Sequence, residues 1–138
     1  MRGLLVVYAA IVVPLLALDF VWLKTMSSRL YQPTLGDILA PQPSLLPAIV
    51  FYLLYPVALA AFVVFPAFQR EDVSYAFIMG AGFGIAAHGT YALTNHAVLR
   101  NWSTTLTLAD IGWGAFLAAV CSTTGYLIAR KMFTATGG

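Results

Sequence analysis

With 138 residues, 61% of them hydrophobic and only 9% charged, the chain lies far from the roughly 45–50% apolar and about 25% charged make-up of soluble globular domains. A mean hydropathy of +0.87 means that apolar surface faces lipid as well as a core, and the length allows a single domain over residues 1–138. The net charge of +2 comes from seven dispersed Lys and Arg residues, with no basic run to neutralise phosphates, which argues against a nucleic-acid partner.

Cys121 is the single cysteine, so an internal disulfide and a Cys-based metal cage are excluded, and the residue reads as a small core side chain. Met1 and Arg2 followed by apolar residues resemble a secretory signal. The apolar run continues to Leu23 without a small-residue cleavage site, so it reads as a retained helix.

Four apolar stretches, Gly3–Leu23, Ser44–Phe65, Val73–Leu99 and Leu108–Ala129, are long enough to cross a roughly 30 Å hydrocarbon layer, which takes about 20 helical residues. They are continuously apolar, whereas barrel strands alternate over about 10 residues. The expected fold is therefore all-α, a polytopic membrane protein built as an antiparallel bundle of four transmembrane helices.

In the first stretch Pro14 predicts a kink, and Asp19-Phe20-Val21-Trp22 places a carboxylate and an indole on one side of the helix near its end. A negative charge there opposes the helix dipole, so Asp19 requires either snorkelling towards Lys24 or Arg29, or a donor on another segment. Arg100, His96 and Asn95 are the candidate donors. In the connection Lys24–Pro43, Pro33 and Pro41 bracket a segment that predicts a short interfacial helix starting at Pro33. The second stretch contains Pro47 and Pro56, with a kink expected near Pro56.

The third stretch carries Gly80-Ala81-Gly82-Phe83-Gly84, then His88, Tyr91, Asn95 and His96. Gly84, His88, Tyr91 and Asn95 form one stripe at 3.6 residues per turn, and Gly80 with Gly84 makes a small-residue pair for close helix packing. His88, near the middle of its segment, reads either as a hydrogen-bonded core histidine or as a proton-relay or ligand group.

The fourth stretch opens with Asp110-Ile111-Gly112-Trp113, a second Asp-x-x-Trp. The first and fourth helices run oppositely, so both pairs fall at one membrane face. Asp110 reads either as a helix N-terminal cap or as a site residue, and Trp22 and Trp113 either as interfacial belt residues or as site residues. A polar cluster of Asp19, Asn95, His96 and Asp110 is expected, with Asn95 bridging the third helix to Asp19 or Asp110.

His88 and His96 are more than two turns apart on different faces, which argues against one metal ion, and no cofactor is indicated. There is no phosphate loop, no Gly-x-Ser-x-Gly and no His-Glu-x-x-His. Asn101-Trp102-Ser103 fits the glycosylation pattern by chance, in a loop that hugs the membrane.

Asp19-x-x-Trp22, Tyr31 with Leu35-Gly36, Phe51-Tyr52 through Tyr55, Pro66-Ala67, Gly89-Thr90-Tyr91 through Leu93-Thr94-Asn95, Trp102, and Asp110-Ile111-x-Trp113-Gly114 together resemble the bacterial DUF2177 family of predicted membrane proteins. The resemblance covers nearly the whole chain and implies a four-helix protein of a bacterial inner membrane, with no established activity. The family's pattern carries an Asp where this chain has Ala92.

Three functions compete. The polar cluster binds or passes a small ligand, lipid headgroup or proton, in which case a bundle this small is expected to work as a homodimer. Alternatively, the chain is an accessory or assembly subunit that packs into a larger membrane complex through its glycine face. The third reading is an intramembrane enzyme acting on a lipid or isoprenoid, with Asp19 or Asp110 as general acid or base and His96 as proton partner. Lys and Arg in the loops, four against three, give both termini inside.

Overall fold

A computed structural model describes residues 2–39 and 44–137. In chain order they form α1 (Arg2–Met26), a π-helical turn (Ser27–Tyr31), α2 (Gln32–Leu35), α3 (Leu45–Leu59), a second π-helical turn (Ala60–Val64), α4 (Phe65–Arg70), α5 (Val73–Val98) and α6 (Thr104–Gly137). Four continuous helical runs, Gly3–Leu35, Leu45–Arg70, Val73–Val98 and Thr104–Phe133, are long and apolar enough to span a bilayer. The all-α, four-span architecture expected from the sequence is the one observed.

The two π-turns share a cause. Each ends two residues before a proline: the Gln32 N–H donates to Ser27 O ahead of Pro33, and the Phe65 N–H donates to Ala60 O ahead of Pro66. A proline ring clashes with the carbonyl four residues back, and widening the preceding turn relieves that contact. The π-turns thus fall ahead of Pro33 and Pro66, and α1 and α3 run as α-helix through Pro14 and Pro56. No separate helix begins at Pro33. The helix of the first span continues through it and ends at Leu35, and Pro41, the other proline of that bracket, lies outside the described residues.

The core is organised by α6, whose most extensive contacts are with α5 and then with α1. Along α1, Val7, Ile11 and Leu15 repeat every four residues and are buried. Asp19 and Trp22 continue that stripe for about two more turns. On α3, Tyr55, Leu59 and, in the π-turn, Val63 form the matching buried face, with Tyr52 one turn earlier.

Helices α5 and α6 approach closely because small residues meet. A Cβ on Gly84 would lie 2.0 Å from the Gly114 carbonyl oxygen, and one on Gly80 would lie 2.8 Å from the Ala118 oxygen. Both glycines are buried against α6. The α1–α6 pair is antiparallel, since Gly3 meets Phe133, Gly125 meets Ile11 and Trp113 reaches Asp19.

Candidate functional site

The antiparallel pairing of α1 and α6 sets the two Asp-x-x-Trp motifs side by side in opposite order, so that each tryptophan lies near the other motif's aspartate. The Trp113 Nε1–H donates to Asp19 Oδ1 at 3.1 Å. In the other direction the link has one more member: the Trp22 Nε1–H donates to the Tyr31 hydroxyl at 3.1 Å, which donates to Asp110 Oδ1 at 2.8 Å. The two indoles stack with centroids 4.6 Å apart and planes 9° from parallel. Tyr52 of α3 completes the arrangement by donating its hydroxyl to Asp19 Oδ2.

These side chains border an open cavity of about 860 Å³, lined by Asp19, Trp22, Leu23, Ser27, Tyr31, Gln32, Leu39, Phe51, Tyr52, Ala87, His88, Tyr91, Asp110 and Trp113. Its floor lies within the first span, since Asp19 is about 7.5 Å below Lys24 at a rise of roughly 1.5 Å per residue. Its upper wall is the extension of α1 beyond Met26. Leu35 anchors that extension against Ala92, Trp102 and Leu106, and the Asn101 side-chain amide donates to both Asp37 carboxylate oxygens at 2.9 and 3.0 Å. The helical continuation that replaces the expected loop is therefore what brings Tyr31 over Asp110.

His88 faces the cavity because α6 has no side chain at Gly114. A Cβ there would lie 2.3 Å from the imidazole Cγ. The ring meets Tyr55 edge-on, with centroids 6.3 Å apart. Among the described residues, two buried polar atoms at the cavity lack a hydrogen-bond partner, His88 Nδ1 and Asp110 Oδ2. Asp110 is only 5% exposed, so an unsatisfied carboxylate oxygen there is costly unless something else fills the coordination.

Of the residues singled out in the sequence, the structure groups Asp19, Trp22, His88, Tyr91, Asp110 and Trp113 around one cavity. It does not bring Asn95 and His96 to it. The expected bridge from Asn95 to an aspartate is replaced by Tyr52, Trp113 and Tyr31 as donors, and Asn95 lies instead beside Tyr91, one turn back on its own helix. His96 Nδ1 lies 3.1 Å from Thr107 Oγ1, which also accepts from Trp102 Nε1 at 2.9 Å, a link that ties α5 to the start of α6. None of the expected donors, Arg100, His96 or Asn95, hydrogen-bonds Asp19, although a donor on another segment does.

Among the polar and aromatic lining residues, those that motif reading left out of the site are Tyr31, Tyr52, Phe51, Ser27 and Gln32. Tyr31 and Phe51-Tyr52 stood among the positions that carry the family resemblance, which was the available signal.

Over residues 4–127 the chain matches a family described as predicted membrane protein, DUF2177. No curated protein and no solved structure matches it.

Proposed function

We propose, for a chain that belongs to the DUF2177 family of predicted membrane proteins, that its working part is the cavity between the two Asp-x-x-Trp motifs and that it binds a small molecule there, near one face of the membrane. The observation that carries this reading is the pairing of one buried carboxylate, Asp110, and one partly buried carboxylate, Asp19, with aromatic groups around about 860 Å³ of open space. That volume lies within the roughly 300–1,000 Å³ of small-molecule sites, and convergent polar groups in an otherwise apolar lining are their usual composition. Ionisable groups at membrane depth are costly, and Asp19 and Asp110 are held in place by neutral donors rather than neutralised by a cation.

Support for the accessory-subunit reading is weaker, because α6 of the same chain already fills the face presented by Gly80 and Gly84. The enzyme reading assigned the proton-partner role to His96, which is engaged with Thr107 away from the cavity. The side chains named at the cavity all come from one chain, and a homodimer remains the expected assembly for a bundle this small. The four-against-three count of Lys and Arg supports an orientation with both termini on the cytoplasmic side.

The test is native mass spectrometry of the protein released from its own membrane. Ala87 lines the cavity on α5, and Ala87→Phe would occupy that space. A bound small molecule that accompanies the wild type and is lost from the folded Ala87→Phe variant is the expected result. Identical adducts on both proteins would overturn the proposal.

A further inference from the structure

We infer that the cavity's ligand is an amphiphilic organic cation, an ammonium-type headgroup with an apolar tail, whose head sits in the cavity bordered by the two tryptophans and the two aspartates and whose tail lies in the groove between α1 and α3. The inference rests on the cavity reading above and adds the ligand's charge and shape.

Charge comes first. The lining contains two carboxylates and neither Lys nor Arg. The donors on Asp19 and Asp110 are two phenols and an indole, all uncharged. Negative charge held this way favours a cation over a neutral or anionic ligand, because a cation supplies the Coulomb attraction that neutral donors lack. Asp110 Oδ2 is buried and unpartnered among the described residues, so no hydrogen-bond donor of the chain compensates that side of the carboxylate. A lipid phosphate would enter the same carboxylate field with no positive side chain to meet it, which disfavours a phospholipid headgroup.

The aromatic groups point to the same class. Trp22, Trp113, Tyr31, Tyr52, Phe51 and Tyr91 all border the space, and aromatic rings attract cations, more strongly when water is excluded. Quaternary ammonium groups, which cannot donate a hydrogen bond, are recognised in this manner.

Shape comes from a second recess. Leu16, Ala17, Phe20, Leu23 and Tyr52 line an apolar hollow of about 510 Å³ on the α1–α3 side. It shares Leu23 and Tyr52 with the main cavity, so an apolar tail can continue from the head site into a lipid-facing groove. Entry from the bilayer follows from that continuity.

The experiment uses the full chain in phosphatidylcholine nanodiscs, titrated below micellar concentration with three probes that share a dodecyl tail: dodecyltrimethylammonium, dodecylphosphocholine and dodecyl sulfate. Calorimetry and the fluorescence of Trp22 and Trp113 report binding. Saturable binding of the ammonium probe is expected, with at least about tenfold preference over the phosphocholine probe, a factor equal to about 1.4 kcal/mol, and no saturable binding of the sulfate. Asp110→Asn is expected to weaken the ammonium probe by about tenfold or more. Asp19→Asn serves as the second variant should the first not fold. Equal binding of ammonium and phosphocholine probes would assign the site to a lipid headgroup and overturn the inference, as would ammonium binding unchanged in every folded aspartate variant. If none of the three probes binds while Ala87→Phe still removes a co-purifying molecule, the cation inference fails and the cavity reading stands. If Ala87→Phe removes nothing, the cavity reading itself has failed.

Discussion

Trp113 on α6 donates its indole N–H to the Asp19 carboxylate on α1, 94 positions away in the chain, at 3.1 Å. The reverse link, from Trp22 to Asp110, requires Tyr31 as an intermediary. The two motifs are therefore mutual partners and not two independent interfacial belts.

That relationship is measurable as a coupling. Asp19→Leu and Trp113→Phe each remove one side of the bond, and the double variant closes the cycle. Interhelical polar contacts in membranes average about 0.6 kcal/mol and reach about 1.7. A coupling of that size is expected in reversible unfolding from mixed micelles, and strictly additive effects would show that the bond contributes nothing.

The α5–α6 seam makes a sharper prediction. Gly84→Ala places a Cβ where the Gly114 carbonyl already lies, at 2.0 Å, whereas Gly82→Ala meets nothing within 4 Å. Overpacking of this kind costs about 1 to 3 kcal/mol. Gly82→Ala is expected to be neutral or to gain up to about 1 kcal/mol from helix propensity. Thermal unfolding of the two variants side by side decides it, and equal melting temperatures would contradict the close approach.

Thr107 accepts from Trp102 and contacts His96, so Thr107→Val leaves a buried indole N–H and an imidazole nitrogen without that partner. A loss of about 1 to 3 kcal/mol is expected. Amide exchange should rise in residues 99–106 while the middle of α6 keeps its protection, and unchanged exchange in that turn would mean the link has no structural role.

Asn95 offers the opposite expectation. Its sequence stripe with Gly84 and His88 suggested a place at the aspartates, yet the aspartates' donors come from α3, α6 and the π-turn after α1. Asn95→Leu is therefore expected to leave both the melting temperature and the tryptophan emission spectrum near wild type. A shift in emission comparable to that of Tyr31→Phe would return Asn95 to the site.

Four spans, an inward Asp19 and the meeting of two Asp-x-x-Trp pairs at one face were all legible in the sequence. Continuous apolar runs dictate helices in lipid, and two helices running oppositely must bring an end-of-helix motif level with a start-of-helix motif. The family resemblance marked Tyr31, Tyr52 and Gly114 without saying what they touch. Those contacts were decided by tertiary structure alone. Tyr52 reaches Asp19 because α3 presents its Tyr52-Tyr55-Leu59 face to α1, and Tyr31 reaches Asp110 because a π-turn carries the first helix past its apolar end. Asn95 and His96 were misplaced for a related reason. In a membrane protein both the lipid face and the core face of a helix are apolar, so hydrophobic periodicity does not say which face turns inward, and a modest rotation of α5 moves a polar stripe from one neighbour to another. Small residues set that rotation, with Gly84 against Gly114 and His88 seated where Gly114 leaves room. Such contacts exist only once two helices are already packed.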